Sequence, residues 1–281
     1  MTDWDRLWPA PAKINLFLHV VGRRADGYHL LQTVFRFIDL ADCLRCEPRN
    51  DGRIVLAKPL PGVPPETDLV VRAAQALRAA TGATSGVSLH LEKRLPMGGG
   101  LGGGSSDAAT TLIALNRLWG TGLASEDLQR IGLTLGADVP IFIHGRSAFA
   151  EGVGEVFADV APPPTWYLLV VPPVAVPTPE IFCSPQLRRD TPAIAARDWH
   201  PGFGHNDLEA VACFLYPEVA RHLDWLRRYG DARMSGSGAC CFVDFPDRGA
   251  AQAALLDLPQ GMLGHVAAGI DRHPLLEPAA P

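Results

Sequence analysis

No stretch of this sequence is long and apolar enough to span a bilayer. The best candidate, Trp166 to Val176, is short and broken by Pro172 and Pro173, whereas a spanning helix needs about 20 apolar residues. No apolar run follows a basic start either. The chain opens Met1-Thr2-Asp3-Trp4-Asp5-Arg6, so a signal peptide is not expected and a cytoplasmic location is. Basic charge is not in excess: the net charge is −5. A nucleic-acid or membrane partner is therefore not expected, although a local basic site for a phosphorylated ligand is compatible with that balance. The six cysteines, at 43, 46, 183, 213, 240 and 241, form no disulfide framework. Cys43 and Cys46 make a lone CxxC with no second pair for zinc and no strand-to-helix setting for redox chemistry, so ordinary reduced thiols are expected. The nine histidines show no HxxxH or HxH spacing, and no structural metal is expected.

Glycine, by contrast, is abundant and concentrated. Six of the seven positions from 98 to 104 are glycine. Around this run, residues 12–21 and 30–40 read as strands, with short strands near 54–56 and at 87–91, 166–171, 239–244 and 264–270. Helical stripes cover 69–80, 108–119, 125–135, 207–216, 218–229 and 250–256. Ser125 is the expected N-cap and Gly136 the expected stop of the third helix. Residues 184–204 read as irregular loop, and 275–281 as a frayed tail. The break at Pro162 to Pro164 divides the chain into two units, 1–160 and 161–281, of α+β class.

A glycine run is entropically costly and needs a reason. Close backbone approach to a ligand supplies one. A helix opens directly behind the loop, and its free N–H groups and positive dipole end attract anions. Ser105 or Ser106 is the expected cap of that helix, and Asp107 suits its positive end. A flexible linker is the competing reading, but the run is flanked by Leu95-Pro96 and a well-formed helix. The loop is not a Walker A motif, because no Gly-Lys-Ser/Thr follows. Gly98, Gly100 and Gly103 match GxGxxG only as any glycine run would, and no acidic residue ends a following strand, which argues against a dinucleotide enzyme. The protein-kinase His-Arg-Asp and Asp-Phe-Gly motifs are missing.

The segment from Pro96 to Ser106, Pro-Met-Gly-Gly-Gly-Leu-Gly-Gly-Gly-Ser-Ser, resembles the Pro-x-x-x-Gly-Leu-Gly-Ser-Ser-Ala signature of the GHMP kinase superfamily. Pro11-Ala12-Lys13-Ile14-Asn15-Leu16, Arg24-Ala25-Asp26-Gly27-Tyr28-His29, Gly136-Ala137-Asp138-Val139-Pro140, Ala148 to Glu155 and Ser235 to Ala239 narrow the resemblance to one branch. Its members phosphorylate the 2-hydroxyl of a cytidine-diphosphate-linked methylerythritol in the non-mevalonate isoprenoid precursor pathway. Asp107 stands where many members carry Asn. The resemblance implies an α+β two-domain GHMP kinase fold, with a ribosomal protein S5 domain 2-like N-terminal domain containing a left-handed βαβ unit and a ferredoxin-like C-terminal domain. It implies ATP and Mg²⁺ as co-substrate and cofactor, and a site in the cleft between the domains.

It also implies roles for individual residues. Asp138 carries over as the catalytic carboxylate that takes or orients the hydroxyl proton, and Lys13 as its cationic partner. A lysine on an apolar strand must be paired if buried, and an ammonium there would stabilise charge on the moving phosphoryl group. From the residues alone, Asp138 is equally a turn residue and Lys13 an exposed strand-edge lysine. The ATP-binding set is Pro96, Met97, Gly98, Gly99, Gly100, Leu101, Gly102, Gly103, Gly104, Ser105 and Ser106, with Lys93 as a further candidate that could instead be a surface lysine. The substrate set is Asn15, on Lys13's strand face, with Tyr28 and His29 as cytidine readers, Thr178, and Phe182 as a stacking face. Asn206 is sufficiently explained as a helix cap. Another superfamily substrate, a turnover-free sensor and a nucleotide oxidoreductase are the competing functions; the Asp26–His29 segment argues against the first and the presence of Lys13 and Asp138 against the second.

Overall fold

The computed structural model describes residues 2–276. Two long strands, β1 (Leu7–Arg23) and β2 (His29–Arg49), form an antiparallel hairpin that runs through the whole molecule. Its turn is the Asp26-Gly27 segment, where Gly27 takes a φ of +92°. β2 reaches nine residues past the expected end. Its second half pairs with β4 (Gly86–Glu92), which in turn lies parallel to β3 (Ile54–Leu56). Pro48 fits this strand because β1 ends opposite Arg45, and beyond that point β2 is paired on one side only.

Helix α1 (Leu69–Thr81) connects β3 to β4, with the Asp68 carboxylate capping it at Val70 N–H (2.9 Å). Helix α2 (Gly103–Leu118) follows the glycine run, then α3 (Ser125–Leu135) and α4 (Val139–His144). Nine residues of α2 are buried, among them Ala108, Ala109, Leu112 and Leu115, so the helix sits fixed between its neighbours and holds the loop in front of it. These helices pack on the sheet around Trp8, Phe37, Leu44, Leu77, Leu89 and Phe142; burying each such side chain is worth about 1.5–3 kcal/mol. The 139–144 segment is a helix because Pro140 is accommodated in its first turn. Strands β5 (Ala148–Glu151) and β6 (Val156–Asp159) form a hairpin added to β2.

The second half contains β7 (Trp166–Val171), α5 (Thr178–Cys183), α6 (Glu209–Leu215), α7 (Pro217–Leu226), β8 (Arg233–Met234), β9 (Cys241–Phe245), α8 (Arg248–Leu256) and β10 (Leu263–Ile270). Its antiparallel strands run β10-β7-β9-β8 and carry a separate core of Leu168, Leu208, Leu223, Leu226 and Val243. β10 also pairs with β2 through Gly269 and Ile270, which joins both halves into one ten-stranded sheet. A third cluster of Ile14, Phe17, Leu101, Phe149, Tyr167 and Phe242 fills the junction. No helix among the described residues is long and apolar enough to cross a membrane.

Several elements differ from the expectation. β5, β6 and β8 are too short to show a period. Helix α5 begins at Thr178 because Pro177 and Pro179 fit a helix start, where proline lacks nothing the helix needs. Helix α3 starts one residue earlier than the serine cap implies: Ala124 is the N-cap and Ser125 the first helical residue. Of the expected tail, Leu275 packs against the first core and Pro274–Leu276 is a short 3-10 turn; residues 277–281 lie outside the described residues.

Candidate active site

Residues 96–105 form one wall of a cleft of about 580 Å³, a size usual for small-molecule sites. The loop is strapped on both sides. Lys13 N–H donates to Leu101 O (3.0 Å), and Cys240 N–H donates to Gly99 O (3.1 Å). The glycines with positive φ are 98, 100 and 102, at +66°, +72° and +71°, an alternation and not the GxGxxG spacing. Gly100 lies directly on the turn at 235–238: a Cβ there would stand 2.1 Å from Ser235 O. Glycine is required at this position by both conformation and space.

Behind the loop, α2 begins at Gly103 with Gly102 as its N-cap and no side-chain cap. The serine cap expected from sequence is therefore absent. Glycines 103 and 104 are helical themselves, which places Ser105 and Ser106 inside the first turn. Ser105 lines the cleft. Ser106 is fully buried with no hydrogen-bond partner for its hydroxyl and does not line the cleft. The opening N–H groups of α2 have no intrahelical partners, and such a helix end, with the dipole behind it, favours anions.

Lys13 and Asp138 meet across this site. Lys13 is 2% exposed, and its ammonium finds Asn15 Oδ1 at 2.6 Å, Gly100 O at 3.1 Å and Asp138 Oδ2 at 3.2 Å. The Phe35 ring lies 5.4 Å from it. Asp138 occupies the N-cap position of α4 but makes no capping bond, so its carboxylate is left for the cleft. Its side chain is 37% exposed, open to a ligand as Lys13 is not.

Lys93 is neither a surface lysine nor a free cation. It bridges two carboxylates, Asp42 and Asp107 (2.7 Å to the latter). Burial would lower its pKa, but the two acids outweigh that and raise it. Asp107 is five residues into α2, past the positive end, and pairs with Lys93 instead. Burial, with Asp42 beside it, pushes Asp107 up from its ordinary 3.8 to about 7 against the pull of Lys93. One ammonium between two buried acids leaves room for one more proton. The folded state holds that proton more tightly than the unfolded chain. Its stabilising contribution is complete below pH 3.8 and is lost as pH rises through about 7. Asp107→Asn keeps an acceptor for Lys93 and removes the surplus charge. Its Tm is expected to fall less than that of the parent between pH 5.5 and 8.5; thermal melts at both values check this, and parallel declines would refute it.

The remaining expected residues divide. Asn15, Thr178 and Phe182 line the cleft. The Thr178 hydroxyl meets Ser237 Oγ at 2.7 Å. His29 packs its ring 5.0 Å from Phe182. Burial and then Arg189 lower the His29 pKa, and its Nε2 accepts from Arg189 Nε at 3.0 Å. Tyr28 is 64% exposed and stands outside the cleft wall. Asn206 is not the expected helix cap, since Leu208 holds the N-cap position of α6; its Oδ1 accepts from Leu208 N–H at 2.9 Å, and its amide donates to Met234 O and Gly236 O, both at 2.8 Å, and fixes the turn that faces Gly100. Arg189 was not foreseen. It donates to Phe182 O and Ser184 O (2.9 and 2.7 Å) as well as to His29, and so holds α5 against the hairpin. An arginine in an irregular loop carries no pattern that predicts this.

The glycine loop opening a buried helix, the lysine–aspartate pair at its mouth and the α+β frame agree with what the resemblance to the GHMP kinases implies, and the comparisons with known proteins show that class of small-molecule phosphotransferase. The family model described as "GHMP kinases N terminal domain" matches residues 68–146, and that described as "GHMP kinases C terminal" matches 193–262. The chain is 60% identical over 270 residues to a 4-diphosphocytidyl-2-C-methyl-D-erythritol kinase from Dechloromonas aromatica, covering 96% of this chain and 98% of that one. It is 57% identical over 273 residues to the protein of the same name from Thiobacillus denitrificans, covering 97% and 98%. A crystal structure of 4-(cytidine 5'-diphospho)-2C-methyl-D-erythritol kinase superposes with a TM-score of 0.81 at 36% identity, over 94% of this chain and 99% of that one. The chain belongs to the 4-diphosphocytidyl-2-C-methyl-D-erythritol kinase family of GHMP kinases.

Proposed function

We propose that this chain transfers the terminal phosphoryl group of ATP to the 2-hydroxyl of 4-diphosphocytidyl-2-C-methyl-D-erythritol, a step in making isoprenoid precursors. The observation that carries the reading is the Lys13–Asp138 pair set at the mouth of the glycine cleft. Phosphoryl transfer depends on positioning and charge neutralisation more than on covalent chemistry. Asp138, on the N-terminal unit (1–160), accepts or orients the proton of the acceptor hydroxyl. The N–H groups of loop and helix hold phosphate oxygens. Apolar side chains that line the cleft, among them Leu69, Leu91 and Met97, suit the adenine ring. Thr178 and Phe182, on the C-terminal unit (161–281), wall the acceptor side. Phe182 offers a face and His29 a polar edge to the cytosine.

The donor set fits a phosphate-borne Mg²⁺. Among the described residues no three His, Cys, Asp or Glu side chains gather into a metal cage, and Mg²⁺ is usually held by substrate phosphates, waters and one or two protein oxygens. Ser105 and Asp138 are oxygen donors that line the cleft. When bound, Mg²⁺ supplies charge neutralisation on the phosphates. The deciding experiment is phosphate transfer from ATP to the cytidyl substrate, with homoserine, mevalonate and galactose as controls. Turnover of the cytidyl compound alone is expected; turnover of a control instead would overturn the substrate, and turnover of none would overturn the kinase reading.

A further inference from the structure

Lys13 has three N–H donors and three acceptors: Asn15 Oδ1, Gly100 O and Asp138 Oδ2. Every proton is thus committed, and the direction of the third depends on how the other two are held. Gly100 O is a fixed backbone atom that also accepts from Ser235 Oγ at 2.9 Å. Asn15 is different. Its side-chain amide is buried and carries a donor and an acceptor that could exchange places by a half-turn. If it turned over, NH₂ would face the Lys13 ammonium, donor against donor, and the cation would lose its shortest bond.

Thr33 decides which way the amide lies. It stands on β2 at 1% exposure, and its hydroxyl is a hydrogen-bond partner of both Asn15 Nδ2 (2.9 Å) and Phe17 O. A hydroxyl has one proton. The Phe17 carbonyl can only accept, so that proton goes there. A lone pair is left facing Asn15, and only the NH₂ end of the amide can meet it. Asn15 Oδ1 is thereby aimed at Lys13. The order is Phe17 O, Thr33 hydroxyl, Asn15 amide, Lys13 ammonium, Asp138 carboxylate, with each donor direction set by the one before.

We propose that Thr33 is a positioning residue for phosphoryl transfer, one that orients the Asn15 amide and through it aims the Lys13 ammonium at Asp138. This rests on the kinase reading above. Thr33 lines the cleft but is 1% exposed, and both bonds of its hydroxyl are to Asn15 and Phe17. Serine keeps the hydroxyl and valine keeps the shape without it, so the pair separates hydrogen bonding from packing. Turnover of the cytidyl substrate by the parent chain is measured first, and its absence would strike the kinase reading and not this one. With the parent active, Thr33→Val is expected to lower kcat at least tenfold while KM for ATP and for the acceptor each stays within about threefold, because the orientation of the pair is lost and not the binding surface. Thr33→Ser is expected to return kcat to within about threefold of the parent. A Thr33→Val enzyme with parental kcat overturns the proposal. So does a loss that serine fails to restore, or one that falls on KM with kcat intact. Thr33→Ala, which cannot overfill the site, replaces valine in the same comparison if the valine variant does not fold.

Discussion

Asp138→Asn is expected to reduce kcat by about 10² to 10⁴-fold, the range a positioned acid–base group contributes, while leaving the fold nearly as stable as before. The two halves of this expectation come from the same geometry. The Asp138 carboxylate makes no capping bond to α4 and is 37% exposed, so replacing it breaks no helix cap and leaves no buried polar group of its own unsatisfied. Lys13, for its part, does not become an orphan: Asn15 Oδ1 and Gly100 O remain as acceptors. Asparagine also retains an oxygen for the third proton. What is lost is the ability to take the proton of the acceptor hydroxyl, and that loss should fall on kcat. Steady-state kinetics beside thermal denaturation check it. A variant that loses several kcal/mol of stability along with its activity would show that the carboxylate holds the site together and would remove the ground for assigning it a chemical role.

Lys13, Asn15 and Asp138 were picked out through the family motifs that contain them, and the glycine loop through its composition. The strand at 12–21 puts Lys13 and Asn15 on one face by its period of two, and the loop announces itself by composition. The fate of Lys93 was not legible. Its partner Asp42 lies 51 residues away on β2, and nothing local shows that a lysine lining the cleft is also paired with two acids. Asp107 misled for a related reason. A serine pair before it suggests a helix start, whereas the helix opens earlier at glycines that propensity alone would exclude. Thr33 belongs to no motif, and Ser235 opens one, Ser235 to Ala239, that says nothing of what its hydroxyl meets. Each matters through one hydroxyl in contact with a residue of another strand, and such contacts exist only once β1, β2 and the 235–238 turn have been brought together. In fold, the two-domain α+β frame followed from the family signature. The continuity of one sheet through β10 did not, since it depends on two residues, Gly269 and Ile270, pairing with Phe37 and Ile38.

Gly100→Ala is expected to be the most damaging single methyl addition in the chain. The φ of +72° costs an L-residue about 1–2 kcal/mol, and that part is shared by any glycine of similar φ. The rest is specific. The new Cβ would lie 2.1 Å from Ser235 O and 3.1 Å from Gly238 O, both backbone atoms, so no rotamer change relieves the contact and the loop must part from the turn. Overpacking of this kind adds about 1–3 kcal/mol. The displacement also carries Gly100 O away from Lys13 and Ser235, which unseats the cation from its second acceptor and moves the phosphate-holding N–H groups with it. A shift of about 1 Å in such a site can cost 10²-fold in rate. Gly62→Ala isolates the conformational part, because Gly62 has a φ of +77° in an exposed turn with nothing within 4 Å of the added Cβ. The expected result is that Gly62→Ala loses about 1–2 kcal/mol and keeps full activity, while Gly100→Ala loses about 2–5 kcal/mol by the sum of the two costs and at least 10²-fold in kcat/KM. Chemical denaturation and steady-state kinetics of the two variants side by side make the comparison. Equal losses in both would mean that left-handed strain alone governs the loop. A Gly100→Ala enzyme with normal turnover would mean that the contact between the glycine loop and the 235–238 turn opens when nucleotide binds.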